Sequence, residues 1–149
     1  MGKCRAGLLS LFTIVGIALL LASAPQASAQ TTLSIIRNVE GDPVYAPGGT
    51  VDLTITFIKD GPDMLSQLGL SEWTPEGWTF NSIVAGEAPH ITPSSGDTGK
   101  IDFAYLFPPM IFPVSFTYRL NVPSDASGPA TISGRGIYAT DGPQEFTEM

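Results

Sequence analysis

The chain has 149 residues, and its 14 Asp and Glu outnumber seven Lys and Arg, for a net charge of −7. An acidic surface of this kind repels nucleic acid and anionic lipid, so both drop out as expected partners.

Lys3 and Arg5 precede an apolar run from Ala6 to Ala22, and a small-residue stretch ends in Ala27-Ser28-Ala29. That order of basic, apolar and small segments reads as a secretory signal cleaved before Gln30. The apolar run is shorter than the ~20 residues that cross a bilayer. The expected product is a secreted (periplasmic or extracellular) single domain, residues 30–149, with no stable membrane insertion. Cys4 leaves with the signal, so this domain has no disulfide and must rest on its hydrophobic core, which 120 residues can bury. Its basic residues are Arg37, Lys59, Lys100, Arg119 and Arg135, which against 14 acids leave a net charge of −9.

Beyond residue 30 the dominant period is two. Thr32–Arg37 opens the series. In 50–58, Val51, Leu53, Ile55 and Phe57 alternate with Asp52, Thr54 and Thr56. Residues 65–73 carry a weaker signal and are read as a strand from their neighbours; 78–84 and 100–107 follow. In 113–123, Val114, Phe116, Tyr118, Leu120 and Val122 alternate with Ser115, Thr117, Arg119 and Asn121, and 130–139 closes the series. Each is a half-buried strand with one wet face. Gly, Pro, Asp and Ser separate them in turns such as "KDGPD", "TPEG" and "TDGP". About seven antiparallel strands without a helical stripe predict an all-β, Ig-like β-sandwich.

Chemistry is sparse. His90 is the only histidine, and no G-x-S-x-G elbow accompanies Ser94 or Ser95, so no catalytic residue and no enzyme is expected. No Cys or His cluster suits zinc. Asp97 with Asp102, and Asp60 with Asp63, lie near turns but lack the alternating ligand pattern of a calcium loop, so neither metal nor cofactor is expected. A stapling Lys–Asn isopeptide bond would draw on Lys59 or Lys100 and on Asn38, Asn81 or Asn121. Its chemistry needs a buried lysine, and Lys59 and Asn121 fall on polar strand faces.

The aromatic residues carry more. Tyr105 and Tyr118 sit on apolar strand faces and read as core, as does Trp78 at the head of its run. Trp73, before the Pro75-Glu76-Gly77 turn, is unconstrained by any such pattern and is a candidate contact residue, with Tyr45 as a second ring. Phe107, Met110, Ile111 and Phe112 form an apolar loop held by Pro108, Pro109 and Pro113. If exposed, such a loop is an adhesive patch; the alternative is a cover over the open end of the sandwich.

The stretches "PGGTVDLTITFIKDG", "LGLSEWTPEGWTF" and "FTYRLNVPSDASGPATISG" resemble the Ig-like β-sandwich modules of bacterial exported and surface proteins, over about Pro47 to Tyr138. The resemblance implies a spacer, stalk or accessory domain with no catalytic residues. The expected function is thus a secreted, non-catalytic domain for extracellular protein–protein or matrix and surface interaction, with the edge strands and the 107–112 loop as the contact surface. A carbohydrate-binding module using exposed aromatics is the alternative, and the partner is accordingly an extracellular protein or a polysaccharide.

Overall fold

The computed structural model describes residues 30–41, 43–109 and 111–149. The signal segment lies outside the described residues, as does Met110. Eight strands follow one another: β1 (Thr32–Val39), β2 (Thr50–Asp60), β3 (Gln67–Trp73), β4 (Thr79–Gly86), β5 (Lys100–Tyr105), β6 (Val114–Asn121), β7 (Ser133–Ala139) and β8 (Glu145–Glu148). The seven expected strands are all present, and β8 is the addition. Its four residues have glutamate at both ends, too short and too charged to register as a period. Among the described residues no helix is long and apolar enough to cross a membrane.

The strands form two antiparallel four-stranded sheets, ordered β1-β2-β6-β4 and β5-β3-β7-β8, packed as a sandwich. After β2 the chain changes layer at each step through β7, so no local hairpin dictates the core. The alternation does that. In β2 and β6 the register sets Leu53 opposite Tyr118 and Ile55 opposite Phe116, all with no exposed surface. The intervening positions form the wet face, where the Thr54 and Thr117 hydroxyls hydrogen-bond at 2.7 Å and Arg119 grips Asp52 at 2.7 and 2.8 Å. From the second sheet Phe103 reaches into the gap, with its ring centre 5.1, 5.2 and 5.9 Å from those of Phe116, Tyr118 and Phe80. A fully buried ring of this size contributes on the order of 2–3 kcal/mol through burial, so the aromatic cluster is a major part of a core without disulfides.

Candidate binding surface

Three regions hold the candidate residues. The β5–β6 connection leaves the end of the sandwich with Leu106, Phe107 and Ile111 at 60, 77 and 82 % exposure. Phe112 does not join them: it is half-buried and packs against the core, which anchors the loop. Pro108, Pro109 and Phe112 line a small cavity of about 140 Å³ together with Met64, itself well exposed, from the β2–β3 turn. The loop is therefore both things the residues allowed, a plug at Phe112 and a projecting apolar tip at Phe107 and Ile111. The His90 ring stands edge-on to Phe107 at 5.8 Å and to Tyr105 at 6.0 Å. Its ring neighbours are thus aromatic, while the Ser94 amide donates to Asp97 within a turn.

Trp73 lies elsewhere. It ends β3 on the outer face of the second sheet, opposite Lys100 on one side and Ser133 on the other, 38 % exposed. Phe107 follows the far end of the six-residue β5, which at about 3.3 Å per residue puts the two roughly 20 Å apart. Beside Trp73 runs a polar row. Ser71 donates to Asp102 at 2.5 Å, Lys100 donates to the same carboxylate at 2.9 Å, and Arg135 pairs with Glu148 at 2.9 Å. Burial alone would raise the Asp102 carboxyl, but the Lys100 and Ser71 hydrogen bonds outweigh it and hold it below its ordinary range. Further along, Gly69 and Ala104 leave a shallow trough of about 340 Å³ between Ile137, Gln67 and Gln144. Arg135 covers the Phe146 ring at 5.3 Å.

Tyr45, the second ring of the carbohydrate alternative, is committed to the fold. Its edge meets the buried Trp78 at 5.1 Å and 78°, and its hydroxyl donates to the Gly128 carbonyl at 2.5 Å. This fixes the β1–β2 connection against the β6–β7 connection, with Tyr45 half-buried between them. The lysines are likewise engaged locally: Lys59 donates to the Gly61 and Asp63 carbonyls, whereas Asn121 pairs with Asn81. Among the described residues no three His, Cys, Asp or Glu come together to hold a metal ion.

One polar centre went unrecognised in the residues. Glu72 of β3 has no exposed surface and accepts hydrogen bonds from Arg37 of β1 and from the Tyr118 hydroxyl of β6, so it ties one sheet to the other. Arg37 also donates to the Ile132 carbonyl at 2.9 Å. Burial raises the Glu72 carboxyl more than Arg37 and Tyr118 lower it, and burial with the nearby Glu72 charge pushes the Tyr118 hydroxyl well up. The signal was available: Glu72 shares the parity of Leu68 and Leu70, so an inward strand position was carrying a charge.

No protein-family model matches the chain, and no curated protein matches it. Among solved structures, a DUF4466 family protein from Parabacteroides merdae is similar with a TM-score of 0.45 at 13 % identity, over 78 % of this chain and 42 % of that one. The sporulation control protein Spo0M from Bacillus subtilis is similar with a TM-score of 0.32 at 15 % identity, over 78 % of this chain and 48 % of that one. The chain spans less than half the length of either, and at these scores the likeness reaches neither family nor function.

Proposed function

We propose that the chain is a secreted, non-catalytic, Ig-like β-sandwich that makes extracellular protein–protein or surface contacts through the apolar end formed by the β5–β6 connection. The observation that carries this reading is the exposure of Leu106, Phe107 and Ile111 on a loop that Phe112 and three prolines hold in place. Single exposed apolar residues are ordinary; a group of them on one loop anchored at Phe112, beside Met64, is a surface that loses free energy on being covered. The Ig-like assignment draws support from strand order. The β1-β2-β6-β4 sheet and the β3-β7-β8 run repeat the A-B-E-D and C-F-G neighbours of a constant-type domain, with β5 added beside the C position. The secretory reading of residues 1–29 supplies the compartment.

A polysaccharide remains the second reading, favoured by one observation: Trp73 is exposed beside the hydrogen-bonding groups of Ser71, Asp102 and Lys100. Retention of the secreted protein on its own cell surface and on insoluble polysaccharides separates the two. The contact reading expects Phe107→Ser with Ile111→Ser to abolish cell-surface retention and Trp73→Ala to leave it intact. Polysaccharide retention lost only in Trp73→Ala would overturn it.

A further inference from the structure

A sheet ends in strands whose outer N–H and C=O groups lack a neighbour, and proteins blunt such edges with bulges, short or charged strands, or covering segments. Three of the four edges here are blunted. β4 has two register shifts, and its Phe80 exchanges backbone hydrogen bonds with Gly96 and Asp97 of the following loop. Ile91 bridges β5 by bonding to Ala104 in both directions. β8 is four residues long and begins and ends with glutamate.

β1 has one such device, the inward-pointing charge of Arg37, and is otherwise open. Its eight residues pair with β2 in unbroken register and include neither lysine nor proline. The Glu40 amide donates to the Asp52 carbonyl, so by alternation Leu33, Ile35, Arg37 and Val39 turn their backbone groups away from β2. The Leu33 amide meets the Tyr138 hydroxyl. Among the described residues, the backbone of Ile35, Arg37 and Val39 has no partner on that side. On the outer face stand Thr32, Ser34, Ile36 and Asn38, all uncharged, with Ile36 45 % exposed.

The charge around this edge is negative. Glu40 follows the strand, Asp60 and Asp63 flank its start, and Glu145 and Glu148 lie on β8 beside it. The nearby cations are already engaged: Arg37 with Glu72, Arg135 with Glu148, and Lys59 with two carbonyls. Pairing β1 with a second copy would bring these carboxylates together, whereas a cationic chain would be attracted.

We infer that the β1 edge accepts an extended basic segment of a partner protein as an added strand. Main-chain hydrogen bonds to Ile35, Arg37 and Val39 supply affinity, and the surrounding carboxylates select for lysine or arginine. The inference rests on the contact role proposed above but uses a different surface from the Phe107–Ile111 tip. An alternating lysine–valine octapeptide is the probe, with hydrogen exchange of the protein and peptide anisotropy as readouts. Binding is expected to slow exchange at Ile35, Arg37 and Val39 by roughly tenfold or more, and Ile36→Lys, which leaves the ladder to β2 intact, to weaken it about tenfold. A peptide N-methylated along one edge, or with glutamate for lysine, is expected not to bind. Equal binding by the N-methylated peptide, protection elsewhere, or no binding overturns strand addition. So does a concentration-dependent dimer protecting the same amides, which assigns the edge to a second copy. Phe107→Ser with Ile111→Ser serves as the control: peptide binding unchanged while cell-surface retention is lost separates the two surfaces, so either reading can fall alone.

Discussion

The Glu72 carboxylate accepts two hydrogen bonds from the Arg37 guanidinium, at 3.1 and 2.7 Å, although the two residues belong to opposite sheets. With side-chain exposures of 16 % for Arg37 and 0 % for Glu72, the carboxylate is buried and the guanidinium largely so, and removing Arg37 strands a buried charge. Arg37→Ala is expected to destabilise by about 3–5 kcal/mol, whereas an apolar set of similar volume, Arg37→Met with Glu72→Leu and Tyr118→Phe, which leaves no buried hydroxyl without an acceptor, recovers most of that loss. Urea unfolding of the three proteins measures it. A triple variant no better than Arg37→Ala would show that the centre matters through its shape and its bond to Ile132 rather than its charge.

Stability against pH follows from the same centre. The Glu72 carboxyl is raised above its ordinary 4.5 by burial, against the opposing effect of Arg37 and Tyr118. A carboxyl raised in the folded state favours folding when protonated, so its contribution is complete below 4.5 and is lost as pH climbs through the folded value. Asp52 runs the other way. The Arg119 hydrogen bond, against the effect of burial, holds it below 3.8, so its contribution is present above 3.8 and lost as pH falls through the folded value. That pair is part-exposed and its share is small. Wild-type stability relative to Glu72→Gln is therefore expected to decline as pH rises from 4.5. A flat difference across that range would rule the raised carboxyl out.

Gly134 and Gly136 make the close approach of β1 possible. A Cβ at Gly136 would sit 2.2 Å from Ile35 Cδ1 and 2.7 Å from Thr147 Cγ2. Gly136→Ala is expected to cost about 1–3 kcal/mol as Ile35 is displaced. Gly142→Ala, where nothing lies within 4 Å, should stay within about 0.5 kcal/mol. Equal melting temperatures for the two variants would contradict the packing at Ile35.

The two tryptophans should respond unequally. Trp78 is 4 % exposed and braced by Tyr45, so Trp78→Ala is expected to lose about 3–5 kcal/mol. Trp73, at 38 % exposure on the outer face between Lys100 and Ser133, should lose less, roughly 1–2 kcal/mol, because part of the ring stays in water and its truncation leaves no cavity. Chemical denaturation of both variants decides it, and a large loss at Trp73 would make it a core residue.

The amino-acid sequence by itself determined the strands and their buried faces, because alternation in stretches such as Val51–Phe57 and Val114–Val122 has one solution: the apolar side turns inward. It also distinguished Trp78 from Trp73 by the company each keeps within its run. The tertiary structure decided what period two cannot express. Glu72 had the parity of a core position, but only the arrival of Arg37 and Tyr118 from the other sheet makes a charge tolerable there. Tyr45 looked free until the fold brought Trp78 and Gly128 to it, from 33 and 83 positions away along the chain. Phe112 and Phe107 share one short loop, and nothing local tells the anchor from the tip. The β1 edge is open for the same reason: which strand ends a sheet depends on pairings between distant segments, and those are settled by the packing of the whole.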